Sequence, residues 1–450
     1  MEKRESFKSG LGFILVSAGC AIGLGNVWKF PYMAGQMGGG FFVLFYLIFL
    51  VLLGVPVLSI ELGIGRASKK NIIDAYKTLE RPSHKWHYHG WICIAGCYLV
   101  MSYYTTVSGW MTNYFIKFLT GSFTDMSASD VSGVYDSMLA SPLQVVGMMA
   151  IVVVLGFLVC SFSLQGGLER VSKYMMLGLL LLIGVLIVNS FTLEGAAEGL
   201  SFYLIPDINK VREVGLSSVI AAAMNQAFFT LSIGMASMEI FGTYMSHDNT
   251  LTSEAVKICI LDTVVAISAG LIIFPACFSF DVSPDAGPSL IFITLPRVFV
   301  SMPGGIIFGT LFFLFMTFAS FTTIIGVFQS IIAFGEEIFG LTKIKSCIIN
   351  CVLMLLLSLP AALGFNIWRE ISILGMNILD FEDYIVSNII LPFGALIFTL
   401  FATNKFGWGF DSFLNECNIG RGIRLSPKLK PYYRFALPCL ISIVIIFCFI

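Results

Sequence analysis

Two short stretches hold the atoms that could do chemistry. Ala18-Gly19-Cys20-Ala21-Ile22-Gly23-Leu24-Gly25-Asn26 sets glycines and an asparagine in the middle of an apolar run, and Phe229-Thr230-Leu231-Ser232-Ile233-Gly234-Met235-Ala236-Ser237 repeats the theme further on. Glycine is a weak helix former, and unwound backbone in hydrocarbon is tolerated only where it lines a cavity. An opened helix frees carbonyl oxygens that can hold a cation and N–H groups that can hold a carboxylate. Sodium is a hard cation and takes neutral carbonyl and hydroxyl oxygens, with no need for histidine or thiolate. The two stretches therefore suit a zwitterionic amino acid bound beside sodium. Glycine-mediated helix packing is the competing reading, and Asn26 and Thr230 beside the breaks weigh against it. Glu61 and Asp262 put carboxylates inside apolar runs, where an acid is costly without a partner and is a functional candidate by default.

These groups must be positioned by membrane helices. Of the 450 residues, 57% are hydrophobic and 12% charged, and the net charge is -1. Mean hydropathy is +0.90. So little charge cannot cover the surface of a water-soluble chain, and there is no basic field to draw nucleic acid. Apolar stretches of spanning length fall at about 11–33, 40–64, 90–118, 143–163, 174–193, 217–242, 256–279, 304–335, 346–364, 384–402 and 433–450. This predicts an all-α polytopic membrane protein with eleven transmembrane helices. The interrupted stretches lie in spans one and six, matching positions if two five-helix halves repeat: repeat one about 11–193, repeat two about 217–402, then an extra span at about 433–450. Such a pair of interrupted helices points to a transporter's midplane site. The segment 286–302, broken by Pro288, Pro296 and Arg297, reads as a loop helix dipping into the outer face.

Orientation follows the basic residues. With the N-terminus inside, only Lys29, Lys117, Lys210, Arg212, Arg297 and Arg369 of the 26 Lys and Arg fall outside. This predicts a cell (plasma or inner) membrane protein with a cytoplasmic N-terminus and an extracytoplasmic C-terminus. No cleavable signal is expected, because the first apolar span runs on through Gly23 and Gly25. The 11 cysteines fall mostly in apolar spans, where cysteine behaves as a small hydrophobe, with Cys417 in a polar loop.

The motifs carry a resemblance. Gly23-Leu24-Gly25-Asn26-Val27-Trp28-Lys29-Phe30-Pro31 with Gly38-Gly39-Gly40-Phe41 resembles the first-helix signature of the neurotransmitter:sodium symporters. Gly54-Val55-Pro56 and Glu61-Leu62-Gly63-Ile64-Gly65-Arg66 match the second helix. Tyr103-Tyr104 match the third, Gln226 to Ser232 the sixth, and Ala319-Ser320-Phe321-Thr322-Thr323 the eighth. The resemblance runs from Arg4 to at least span ten, and it is strongest to the eleven-span bacterial branch that includes a tyrosine transporter. It implies the leucine-transporter fold, an inverted 5+5 repeat with broken helices 1 and 6.

Carried over residue by residue, the resemblance implies one sodium among the Ala21 carbonyl, Asn26, Thr230, Asp262 and the substrate carboxylate. A second sodium would sit among the carbonyls of Gly19, Ile22 and Ala319 and the hydroxyls of Thr322 and Thr323. The substrate carboxylate would meet amides near Ala21 and Gly25 and the Tyr104 hydroxyl. Its ammonium would meet carbonyls near Ala21, Phe229 and Thr230, with the side chain among Val100, Phe229, Ser232, Met235, Thr323 and Val327. Gly23 stands where monoamine carriers have aspartate, which implies an α-amino acid substrate. Met235, where the leucine carrier has phenylalanine, repacks easily and implies a larger, aromatic or bulky aliphatic substrate, tyrosine ranking first.

Some residues depart from the family pattern. Asp262 replaces the usual asparagine and Ala266 the chloride-binding serine, so chloride-independent transport is expected. Lys29 replaces the usual arginine opposite Asp383 at the outer gate, a point charge in place of a bidentate fork; the alternative is a lysine snorkelling to the headgroups. Arg4 and Glu337, with Tyr244, match the inner gate. Glu61 is expected to hydrogen-bond the broken backbone. The implied activity is sodium-coupled symport by alternating access, with the lipid bilayer and an amino acid, a small-molecule substrate, as partners and no nucleic acid. A proton-coupled carrier of the same fold is the nearest rival, and Thr322 and Thr323, as neutral oxygen donors, favour sodium. A ligand-gated channel or receptor is a second class. An intramembrane enzyme finds no support, since His84, His87, His89 and His247 all read as inner-loop residues and no HExxH motif occurs.

Overall fold

A computed structural model describes residues 5–127, 130–280 and 290–448. Among them the chain is helical, with isolated β-bridges only, such as Gly39 with Pro206 and Asn249 with Arg421. The helices that matter for the site are α1 (Gly10–Ala21), α2 (Gly25–Gln36), α3 (Gly40–Ser68), α4 (His87–Leu119), α5 (Pro142–Ser161) and α6 (Gln165–Phe191). They continue as α7 (Leu216–Thr230), α8 (Glu239–Tyr244), α9 (Leu251–Ser279), α10 (Leu290–Ser301), α11 (Gly305–Phe339), α12 (Lys343–Leu363), α13 (Ile378–Thr403) and α14 (Pro427–Phe447).

By length and apolarity nine of these helices can cross a bilayer unaided, and α1 with α2 forms a further bent pair. The expectation of eleven crossings additionally requires α7 and α8, which flank an eight-residue non-helical stretch at 231–238, to count as one interrupted span. The chain is all-α as expected, with its first and sixth spans broken. In α4 and α11 78% and 72% of the most apolar stretch is buried, against 28% in α14, so α4 and α11 form the centre and α14 the periphery.

The breaks follow from local chemistry. Ser9 caps α1 by accepting from Gly12 N–H at 3.0 Å. The helix stops at Ile22, whose ψ of 100° is extended, and α2 leaves at 57° to α1. Between α7 and α8, Ser232, Gly234 and Ala236 take φ of 51°, 105° and 61°, so every second residue is left-handed and no helix can run through. A Cβ on Gly234 would lie 2.1 Å from Leu391 O, so the break presses its backbone directly on α13.

Two expectations change in an informative way. Span five begins at Gln165 instead of about 174, because Glu169 is buried there and accepts from Lys8 N–H at 2.9 Å, which hides a charge that reads as loop. His89 is not a loop residue. It is buried in the first turn of α4, 2.8 Å from the Tyr76 hydroxyl. The outer loop helix is present as α10, held where Tyr114 OH donates to Phe292 O at 2.9 Å; residues 286–289 of the predicted segment lie outside the described residues.

Candidate functional site

The two breaks face each other in mid-bundle, with polar side chains from α3, α9 and α11 closing around them. On one side lies a buried cluster built on Asp262 of α9. Asn26 Nδ2 donates to Asp262 Oδ1 at 2.8 Å and to Thr230 Oγ1 at 2.9 Å. Thr230 Oγ1 donates to Asp262 Oδ2 at 3.0 Å, and Gly23 N–H donates to Asn26 Oδ1 at 3.1 Å. Asn26, Thr230 and Asp262 are fully buried, so the carboxylate is solvated by these donors instead of water. Tyr46, which sequence reading missed, donates to Asp262 Oδ2 at 3.3 Å. Its signal was a tyrosine in the middle of an apolar span, since a buried hydroxyl needs a partner.

On the other side a second group of oxygens converges on α11. Thr323 Oγ1 lies 3.2 Å from Ile22 O, 3.4 Å from Ala319 O and 3.5 Å from Gly19 O. Thr322 Oγ1 donates to Ala319 O at 3.0 Å. Both groups consist of oxygen donors. Among the described residues no group of three or more His, Cys, Asp and Glu is placed to hold a metal. Neutral oxygens with at most one carboxylate suit a hard monovalent cation better than a transition metal.

Between the clusters lies a narrow cavity lined by Ala21, Gly23, Gly25, Val100, Met101, Tyr104, Phe229, Ser232, Met235, Thr323, Val327, Val386 and Leu391. Every residue expected to surround a substrate lines it, except Thr230, which turns into the Asp262 cluster. Its polar end is at the first break, where Leu24 N–H donates to Tyr104 Oη at 2.9 Å. A side chain there would displace the groups that close this end: a Cβ on Gly23 would lie 2.1 Å from Tyr104 Oη and 2.5 Å from Thr323 Oγ1, and one on Gly25 2.9 Å from Phe229 Cδ1. Sequence reading missed Met101, Val386 and Leu391. Met101 shares the face of α4 with Tyr104, three residues on. Val386 opens a widened, π-helical turn at Val386–Ile390 and Leu391 follows it, just before Pro392. Such turns cluster at functional sites, and the proline was the signal.

The residues expected to form an outer gate are in contact. Lys29 Nζ lies 3.4 Å from Asp383 Oδ2 and donates to Ser387 Oγ at 3.0 Å. The same ammonium sits 3.8 Å from the Phe229 ring centre, so it is tied down and does not snorkel. Tyr103 OH and Ser387 Oγ both donate to Asp383 Oδ1 at 2.9 Å. At the inner end Glu337 accepts from Asn71 N–H at 2.7 Å and Asn71 Nδ2 at 2.8 Å. Gln329 Nε2 donates to Tyr244 Oη at 2.7 Å. Arg4, the expected third member, lies outside the described residues. Glu61 accepts from Gly234 N–H inside the second break, as its buried position led one to expect.

The chain's similarities agree with this geometry. Residues 4–130 and 130–450 match the family model described as the sodium:neurotransmitter symporter family. A sodium-dependent transporter of Bacillus subtilis, YhdH, is 36% identical over 407 residues, covering 90% of this chain and 88% of its own. A sodium-dependent transporter of Haemophilus influenzae is 32% identical over 405 residues, 88% of each chain. The crystal structure of MhsT in complex with L-phenylalanine matches with a TM-score of 0.90 at 34% identity, covering 99% of both chains. The chain therefore belongs to the sodium:neurotransmitter symporter family, and is a multi-pass, sodium-dependent membrane transporter and not an enzyme.

Proposed function

We propose that this chain imports an α-amino acid together with two sodium ions, independently of chloride, by alternating access. One sodium is held by the Ala21 carbonyl, Asn26, Thr230, Asp262 and the substrate carboxylate. The other is held by Gly19, Ile22, Ala319, Thr322 and Thr323. The observation that carries this reading is the cavity itself, which has an oxygen cluster on each side and glycines where any side chain would fill the carboxylate end. Its walls are apolar apart from that end, Ser232 and Thr323, which supports a large hydrophobic or aromatic side chain, and tyrosine remains the first choice. The L-phenylalanine held by MhsT is a ligand of that class.

Asp262 supplies a fixed negative charge beside the first sodium, the charge that an anion would otherwise bring. Lys29 bridging Asp383 and Phe229 closes the outer path over the cavity, so binding and outer closure are one event. The inner gate of Glu337, Tyr244 and Arg4 opens in exchange. The two repeats, about 11–193 and 217–402, rock against each other around the site, in an inner membrane with the N-terminus in the cytoplasm. The test is uptake of a radiolabelled amino-acid panel into proteoliposomes with and without an inward sodium gradient. Tyrosine and its large hydrophobic relatives accumulate only with the gradient; accumulation driven equally by a proton gradient alone overturns the reading.

A further inference from the structure

Two neighbouring acids at the outer end of α13 have very different surroundings. Asp383 has the Lys29 ammonium at 3.4 Å and accepts from the Tyr103 and Ser387 hydroxyls at 2.9 Å. Glu382, one residue earlier, is 8% exposed, and its carboxyl has a single hydrogen-bond partner among the described residues, Ser102 of α4. Nothing in the mechanism so far uses it.

Ser102 has two acceptors for one proton. Its Oγ lies 2.7 Å from Glu382 Oε2 and 2.7 Å from Leu99 O. A serine hydroxyl donates once, while a carbonyl and an ionised carboxylate can only accept. With Glu382 ionised, one of the two short contacts would bring lone pairs together, and a buried charge would be left with a share of one hydroxyl proton. A proton on Glu382 settles the count. Its O–H donates to Ser102 Oγ, and the Ser102 hydroxyl donates to Leu99 O, the carbonyl three residues back to which helical serines commonly bond.

The neighbours supply no cation in place of that proton. α4 and α12 pack on this end of α13. α4 presents Tyr103, whose hydroxyl is committed to Asp383, and α12 carries no charged residue beyond Lys345. The other charges of α13 are Asp380 and Asp383, both negative. Lys29 is taken by Asp383 and Ser387, and Arg369 in the preceding loop is exposed beside Glu370.

The contacts Ser102–Glu382 and Tyr103–Asp383 are adjacent on both helices. They join the wall that brings Met101 and Tyr104 to the cavity to the wall that brings Val386 and Leu391. We infer that Glu382 is a proton site of the outer gate: a neutral acid that ties α13 to α4 while the outer path is shut, and a carboxylate when the helices part and water reaches it. One proton enters Glu382 from the outer solution on closing and returns there on opening, so none crosses the membrane at this residue. This rests on reading the cavity as the amino-acid site and Lys29 with Asp383 as its outer gate. Because the shut state holds the extra proton, raising the pH favours the open state and weakens retention of substrate.

The test uses the full-length transporter with E382Q, whose amide can donate to Ser102 without titrating, and with S102A. Sodium-dependent tyrosine binding is measured in detergent from about pH 6 to about pH 9, together with infrared difference spectra of bound against free protein. Wild-type affinity is expected to fall about threefold or more as the pH rises, and E382Q to hold the low-pH affinity throughout. A protonated-carboxyl stretch appears on binding in the wild type, is missing in E382Q and moves in frequency in S102A. A merely structural contact would leave the pH profile of E382Q parallel to that of the wild type. That result overturns the inference, and so does a carboxyl stretch that is absent from the wild type or retained in E382Q. If E382Q does not fold, the S102A spectrum decides, and an unmoved stretch overturns the inference. Failure of the wild type itself to bind tyrosine with sodium overturns the underlying site reading, a result distinct from these.

Discussion

Individual atoms of this site are crowded enough to make single substitutions decisive. A methyl group at Gly23 would meet the Tyr104 and Thr323 hydroxyls at 2.1 and 2.5 Å, so Gly23→Ala displaces the groups that close the carboxylate end. Substrate affinity in a scintillation binding assay should fall at least about tenfold, roughly 1.4 kcal/mol, while the purified protein keeps its melting temperature within a few degrees. Asp262 is the one carboxylate within its cluster, so Asp262→Asn removes a charge and leaves the shape. The sodium concentration for half-maximal uptake should rise by about tenfold or more. Replacing chloride by gluconate should leave wild-type uptake unchanged, and a several-fold drop would refute the role given to Asp262.

The helices themselves are shaped by proline. Widened π-helical turns at Gly25–Lys29, Leu50–Gly54, Leu290–Thr294, Val386–Ile390 and Tyr432–Ala436 each end two residues before a proline: Pro31, Pro56, Pro296, Pro392 and Pro438. Proline has no N–H to donate and its ring collides with the carbonyl four residues back, so opening the preceding turn relieves the clash. The turn before Pro392 puts Val386 and Leu391 into the cavity wall. Pro392→Ala allows that turn to tighten, and the ranking of tyrosine against leucine in competition binding should change about threefold or more, a shift of several tenths of a kcal/mol. Glycine at the second break is equally constrained. Gly234→Ala puts a side chain at φ 105° and 2.1 Å from Leu391 O, so the melting temperature in detergent should drop by several degrees, corresponding to roughly 1–3 kcal/mol.

For the whole transporter, coupling sets how far substrate can be concentrated. Each sodium moving down about 100 mV yields roughly 2.3 kcal/mol, and a tenfold gradient adds about 1.4. Two sodium ions with a neutral zwitterion therefore supply on the order of 7 kcal/mol, a ceiling near 10⁵-fold, whereas one ion caps accumulation near roughly 500-fold. Steady-state tyrosine accumulation in tight proteoliposomes at these gradients separates the two cases, and a plateau at a few hundredfold would argue against the second sodium site.

The sequence by itself determined the all-helical membrane class and the two broken spans, because hydrocarbon forbids unpaired backbone and charge except where they work, so breaks and acids there are conspicuous; most of the cavity lining came through the family resemblance. It also marked Lys29 and Asp383 as a pair, through the family resemblance. Tertiary structure decided what depends on contacts between distant segments. Only folding brings Tyr46 to Asp262, turns Thr230 away from the cavity, lays the Lys29 ammonium on Phe229 and buries Glu169 against the Lys8 amide, which starts span five early. A residue's type fixes which bonds it can make, whereas which partner lies within 3 Å depends on the packing of helices hundreds of residues apart, and no local pattern encodes that distance.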